Sequence, residues 1–167
     1  MEFNEAKNKF VQTWGALGSQ WGINKTMAQI HALLMVTADA LSMEDIMEEL
    51  QISRGNASMN LRALMDWGIV YKEYKAGERR EFFSAEKDLD ELAVKISQER
   101  SKREIKPALK VLKEVSSTVS DTSQEAKHFT EQTTKLYDFV LKADNMLEKV
   151  TEYKDNWLAR LVVKIMK

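Results

Sequence analysis

Apolar residues along this chain recur first with the period of a helix, then with that of a strand, then again with that of a helix. Over residues 2–21, Phe3, Phe10, Trp14, Leu17 and Trp21 fall at spacings of three, four and seven, which places them on one helical face. Gly15, Gly18 and Ser19 lie nearby and leave room for another helix to approach closely. Gly22 breaks the pattern, and a second helix is predicted over residues 25–37, carrying Met27, Ile30, Leu34 and Met35. Ser42-Met43-Glu44-Asp45 then fits a capping box, with Ser42 as N-cap and a carboxylate three residues on. Leu41 and Ile46 stand where a hydrophobic staple would sit. This helix carries Ile46, Met47 and Leu50 and stops at Gln51-Ile52. Ser53 caps the next one, which runs to Trp67 before Gly68 ends it.

From residue 69 to residue 85 the period shifts towards two: IVYKEYK, then AGE, then RREFFSA. Tyr and Phe on either side of a glycine-containing turn predict a β-hairpin. After Asp88 helix is expected almost to the end, with Leu89, Leu92, Ala93 and Ile96 forming one stripe. Pro107 either opens a new helix or kinks a continuing one, followed by Leu109, Leu112 and Val115. A turn is expected within the Ser/Thr-rich residues 115–124. Ala126, Phe129, Thr133, Leu136, Val140, Leu147 and Val150 then trace a further helical seam, with Trp157, Leu158, Leu161, Val162 and Ile165 at the end. The expected fold is therefore mainly α with a small β-hairpin wing: a winged helix-turn-helix domain plus long dimerisation helices. Its parts are residues 1–24, an N-terminal helix contributing to a dimer interface; 25–87, the winged domain; and 88–167, a helical dimerisation region.

Composition narrows the chemistry. With 44% hydrophobic and 31% charged residues, the 167-residue chain suits a soluble, helix-rich protein. It has no cysteine, which removes disulfides, thiolate zinc sites and cysteine nucleophiles together. His31 and His128 are isolated, and His31 reads as a satisfied core histidine. No His-x₃-His, Walker or nucleophile-elbow pattern appears, so neither enzyme, metal nor cofactor is expected. Glu44, Asp45, Glu48 and Glu49 read as a solvated face and a favourable helix-dipole contact. MEFNEAKNKF lacks a signal-peptide layout, and no apolar run approaches the roughly 20 residues of a membrane span. Cytoplasmic residence without a membrane partner is the expectation. The basic amphipathic stretch 157–167 reads as a closing helix of the dimer in preference to a membrane-surface helix.

A net charge of −1 counts mildly against nucleic acid, but DNA binding requires cations concentrated on one face and not an overall excess. On the second helix of the helix-turn-helix, Ala57, Leu61 and Leu64 share a face, while Gly55, Met59 and Arg62 point the other way with Ser58 at the flank. Arg54 and Asn56 occupy the first turn, the end that usually probes base edges. Arg can grip guanine with a two-pronged fork, and Asn can pair with adenine. Gly55 admits close backbone approach, and the helix N-terminus behind Ser53 favours a phosphate. In isolation SRGN reads as a solvated capping turn; the helix-turn-helix spacing and the following hairpin favour double-stranded DNA. Lys72, Lys75, Arg79 and Arg80 cluster on the hairpin, placed for phosphate or the minor groove, or else as charges that protect an exposed strand from edge pairing. The rival function is a winged-helix module that binds protein and not DNA. Phe10, Trp14, Trp21 and Trp67, with Trp157, read either as core packing or as an aromatic pocket for a quaternary ammonium effector.

The run MEELQISRGNASMNLRALMDWGIVYKEYKAGERREFFSAEKD resembles the winged-helix core of the MarR superfamily, and specifically its GbsR-like branch. There an SRGN-type recognition helix precedes a DWG turn and a KAGERRE wing. The close likeness spans roughly residues 37–88, and the paired Trp-Gly steps at Trp14 and Trp21 add looser support. The resemblance implies a homodimeric transcriptional regulator on a palindromic operator, with N- and C-terminal helices at the dimer interface. Some members of the branch respond to choline, and no residue here fixes that ligand.

Overall fold

A computed structural model describes the chain over residues 1–155 and its side chains over residues 1–149. The side chain of Val150 and the closing positions Trp157, Leu158, Leu161, Val162 and Ile165 lie outside the described residues. The chain divides into two compact units, Met1–Lys95 and Ile96–Lys167.

In the first unit α1 (Phe3–Gln20) crosses α2 (Lys25–Val36) at close range, and glycine makes the crossing possible. A Cβ on Gly15 would stand 2.5 Å from Gln29 Cγ, and one on Gly18 2.5 Å from Ala28 Cβ. The face that α1 buries is thus Val11, Gly15 and Gly18. Its aromatic stripe lies on an adjacent face, and Phe3, Phe10, Trp14 and Trp21 are exposed. Asn24 starts α2 by accepting a bond from the Met27 amide, 3.1 Å. Eight consecutive residues, Met27 to Leu34, are then buried, which makes α2 the central element of this unit. Its C-terminal carbonyls would be left unsatisfied. The Lys87 ammonium donates to Leu34 O (2.9 Å), Met35 O (3.0 Å) and Thr37 O (2.5 Å), a cation where the helix dipole favours one.

Both expected caps of the helix-turn-helix are present. Ser42 Oγ accepts from the Asp45 amide (3.2 Å), and Asp45 Oδ2 accepts from the Ser42 amide (2.8 Å), which together start α3 (Met43–Leu50). Gln51 turns the chain with φ of 51°, and Ser53 Oγ accepts from the Asn56 amide (3.3 Å) to start α4 (Arg54–Asp66). Gly68, at φ of 69°, leads into the hairpin. Strand β1 (Leu41–Ser42) was not anticipated. It pairs antiparallel with β3 (Glu81–Ala85), which also pairs with β2 (Val70–Tyr74), giving a three-stranded sheet in the order β1-β3-β2. The core of this unit gathers Ile30, Leu33, Leu34, Ile46, Ala57, Leu61, Leu64 and Phe83, all essentially without solvent exposure.

Helix α5 (Leu89–Arg100) runs from the first unit into the second. A π-helical turn, Ser101–Ile105, joins it to α6 (Lys106–Thr118). Pro107 lies in the first turn of α6. Proline has no N–H to donate, and in α register its ring would press on the carbonyl four residues back. The wider turn, in which the Lys106 amide reaches back to Ser101 O, accommodates it. After a turn capped by Ser123, α7 (Gln124–Asp155) runs for 32 residues, about 48 Å. Asp144 is buried and accepts a bond from the Ser101 hydroxyl, 2.5 Å. Helix α6 carries no fully buried residue, and Phe129, Leu136, Phe139 and Met146 are exposed along α7.

Candidate DNA interface

Helix α4 is held by its apolar side and presents the opposite one. Ala57, Leu61 and Leu64 are buried to within 1% and anchor it in the core. Ser53, Arg54, Gly55, Met59 and Arg62 are exposed, Met59 by 63%, and Ser58 is half-buried at the flank. Nothing lies within 4 Å of where a Cβ on Gly55 would be, so the backbone is open there. Arg54 reaches across to α3, where its guanidinium bonds Glu44 Oε1 at 2.5 Å. The backbone amide of its own residue and the Arg54 guanidinium hold the Glu44 carboxyl below its ordinary value.

Asn56 is placed differently from its neighbours. It is half-buried; its Oδ1 accepts from Asn60 Nδ2 at 2.7 Å, and its Nδ2 stands 3.5 Å from Thr26 Oγ1 on α2. Asn60 also donates to Asn56 O at 2.9 Å and is 3% exposed. Sequence reasoning passed over Asn60, although it stands three residues after Ala57 on the inward stripe. A polar residue in that register needs partners, and Asn56 supplies them.

The wing carries its cations in two states. Lys75 Nζ lies 4.1 Å from the centre of the buried Phe82 ring and 3.4 Å from Ala40 O, while Arg80 stacks at 5.5 Å from the same ring and pairs with Glu78 at 3.2 Å. Lys72 pairs with Glu81 on the facing strand at 2.9 Å, and that bond raises its pKa. Arg79 on the wing and Arg62 on α4 are exposed and have no ion-pair partner among the described residues. The Ser42 hydroxyl and amide lower the pKa of Asp45, and the charges of Arg80 and Lys75 act in the same direction. The two acids that open α3 therefore sit in the field of Arg54 on one side and of the wing on the other.

A polar cluster moors the base of the wing. The Tyr71 hydroxyl donates to Glu86 (2.5 Å), and Lys95 Nζ donates to both Tyr71 Oη (2.6 Å) and Glu86 (3.0 Å). The Tyr71 bond first, with help from the Asp88 amide and Lys95, brings Glu86 down to about 2. Tyr71 and Glu86 push Lys95 upward.

Of the expected effector residues, Phe10 and Trp14 stack with centroids 5.5 Å apart, and Trp14 meets Trp21 edge-on at 6.5 Å. Trp67 ends α4 and is half-buried. Trp157 lies outside the described residues. His31 is buried, and its Nε2 has no hydrogen-bond partner among the described residues, so the expectation of a satisfied histidine fails at that nitrogen. Burial lowers its pKa to about 4. Among the described residues no group of His, Cys, Asp or Glu is arranged to hold a metal, and no helix is long and apolar enough to cross a membrane.

Two capped helices joined by a tight turn, then a hairpin whose inner strand also pairs with the residues ahead of the first helix, define a winged helix-turn-helix protein. Residues 21–81 match the MarR family. Over 167 aligned residues the chain is 24% identical to the HTH-type transcriptional repressor GbsR of Bacillus subtilis (strain 168), covering 96% of this chain and 86% of that protein. The fold is shared with a solved structure described as a transcriptional regulator, at a TM-score of 0.68 and 16% identity, over 90% of this chain and 99% of that one. The chain is thus similar to the MarR family over residues 21–81 and, along most of its length, to the GbsR repressor.

Proposed function

We propose that this protein is a sequence-specific DNA-binding regulator of transcription that acts as a homodimer on a palindromic operator. Helix α4 enters the major groove, and the β2–β3 wing lies on the adjacent backbone or minor groove. The observation that carries this reading is the outward face of α4. Arg54, Gly55, Met59 and Arg62 are exposed on a helix whose other side is locked in the core, with an unpaired Arg79 on the wing. Arg54 is the base reader, by bidentate contact with guanine. Ser53, Ser58 and Met59 contribute at the helix N-terminus and flank, and Lys75, Arg79 and Arg80 meet phosphate. Asn56 joins them only by exchanging its bond to Asn60 for a base edge.

One helix-turn-helix covers too few base pairs for useful specificity, so a symmetric pair is needed, with recognition helices ~34–36 Å apart. Each unit offers an apolar face to a second copy: Phe3, Phe10 and Trp14 on α1, and Phe129, Leu136, Phe139 and Met146 on α7. The aromatic group Phe10, Trp14 and Trp21 suits a quaternary ammonium effector through cation–π attraction. Tryptophan emission unchanged across choline and betaine titrations removes that part of the proposal.

The test of DNA binding is a salt-dependent shift of random duplex, followed by selection of an operator from a random pool. Arg54→Ala is expected to lower operator affinity by ~1–3 kcal/mol and relax specificity at one position, and Arg79→Ala to weaken all duplexes alike. If neither duplex is bound, the winged helix serves a protein partner instead; if both variants bind as wild type does, the roles assigned to Arg54 and Arg79 fall.

A further inference from the structure

The outward face of α4 is not wholly free. Its leading cation, Arg54, is tied at 2.5 Å to Glu44 of α3, and both side chains are solvent-exposed, by 66% and 49%. A carboxylate beside a DNA-reading arginine has two effects. It repels the phosphate backbone, and it competes with phosphate for the same guanidinium. An exposed pair of this kind is weak, so it does not lock Arg54 away. It sets a threshold that a single phosphate oxygen meets poorly and that a guanine edge, offering two aligned acceptors, exceeds. The rest of α3 makes this role separable from folding, because the capping box that starts the helix uses Ser42 and Asp45 and leaves the Glu44 side chain outside it.

We propose that Glu44 is a specificity-determining residue: it holds Arg54 in the free protein and discourages its use on non-operator DNA, so that the ratio of operator to random binding depends on this carboxylate. The inference rests on the DNA-binding reading of α4. It assigns Glu44 a positioning role, acting on DNA through Arg54. Arg54 leaves Glu44 when a guanine is presented, and Glu44 then faces solvent.

The experiment measures fluorescence anisotropy of full-length protein on a selected operator duplex and on a random duplex, across a series of salt concentrations. Glu44→Gln is expected to bind random duplex about two- to five-fold more tightly than wild type. Its log–log salt slope should steepen by about 0.9, the signature of one more cation engaged with phosphate. Operator affinity should move less, so the specificity ratio falls. Glu48→Gln removes an equal charge from the same helix without touching Arg54 and should leave the ratio unchanged. In an Arg54→Gln background the effect of Glu44→Gln should vanish. The proposal is overturned if Glu44→Gln leaves the ratio at its wild-type value, if Glu48→Gln changes it equally, or if the effect persists without Arg54. If wild type binds neither duplex, the reading of α4 fails and this inference falls with it; if wild type binds and only the ratio is insensitive to Glu44, the inference alone fails.

Discussion

The two units of this chain differ in whether their described residues enclose an apolar core. In Met1–Lys95 the elements α2, α3, α4 and the sheet together enclose a core, with Ile30, Ile46, Leu61, Leu64 and Phe83 shielded from water, while Phe3, Phe10, Trp14 and Trp21 of α1, Met59 and Tyr74 face solvent. In the described part of the second unit α6 encloses no residue, and Phe129, Leu136, Phe139 and Met146 of α7 face solvent. Burial of a side chain of this size is worth roughly 1.5–3 kcal/mol, so such a row left in water is a standing incentive to associate. The lesson is a division of labour. The winged unit encloses its own core behind the reading helix, whereas the described part of the helical unit presents an apolar row that a second copy would cover under the proposed dimer.

The sharpest way to break this contrast is to hollow the first unit. Leu61→Ala removes a fully buried side chain behind the reading face and should cost about 2–5 kcal/mol in urea unfolding. A cost below 1 kcal/mol would show that α4 is not held as tightly as its burial implies. The next effect is acid sensitivity confined to that unit. His31 is neutral when folded, with its pKa lowered from 6.5 to about 4. The folded state therefore binds fewer protons than the unfolded one between these values. The contribution is fully present above about pH 6.5 and is lost as pH falls towards 4, a change of about 3 kcal/mol. Urea midpoints at pH 7 and pH 4.5 measure it, and His31→Gln should flatten the difference. The smaller effect belongs to the second unit. Phe139→Asp should raise the dimer dissociation constant by about tenfold or more, with the urea midpoint of the winged unit unchanged. Sedimentation of wild type as a monomer at every concentration would remove the contrast altogether, because the exposed row would then have no second copy to meet.

Legibility in the sequence followed the range of the interaction. Ser42 with Asp45, Ser53 with the Asn56 amide, and the turn at Gly68 are contacts within four residues, and they were readable because residue type and spacing alone determine them. The inward stripe Ala57, Leu61, Leu64 was readable for the same reason. The Lys87 ammonium capping α2 about fifty residues earlier in the chain, the pairing of β1 with β3, and the tie between Arg54 and Glu44 were not. Each joins side chains or strands whose meeting depends on how whole elements pack. Asn56 shows the limit most clearly: its chemistry suits adenine, yet the neighbour that occupies its amide, Asn60, was assigned no part in the sequence reading.

By itself, then, the sequence determined the order of the helices and the hairpin through residue 88, the face by which α4 is anchored, and the set of side chains opposite that face, since helical period and capping chemistry are local properties; β1 and the π-helical turn at Ser101–Ile105 lay beyond it. Only the tertiary structure decided which of those side chains stand free. Arg62 and Arg79 do, Arg54 is tethered, and Asn56 is turned inward, because Glu44 arrives from α3 and Thr26 from α2, while Asn60, one turn further along α4, is held on the buried side of the helix. It also decided that the aromatic stripe of α1 stays outside the core, because Gly15 and Gly18, which alone permit the close crossing with α2, claim the buried side of that helix.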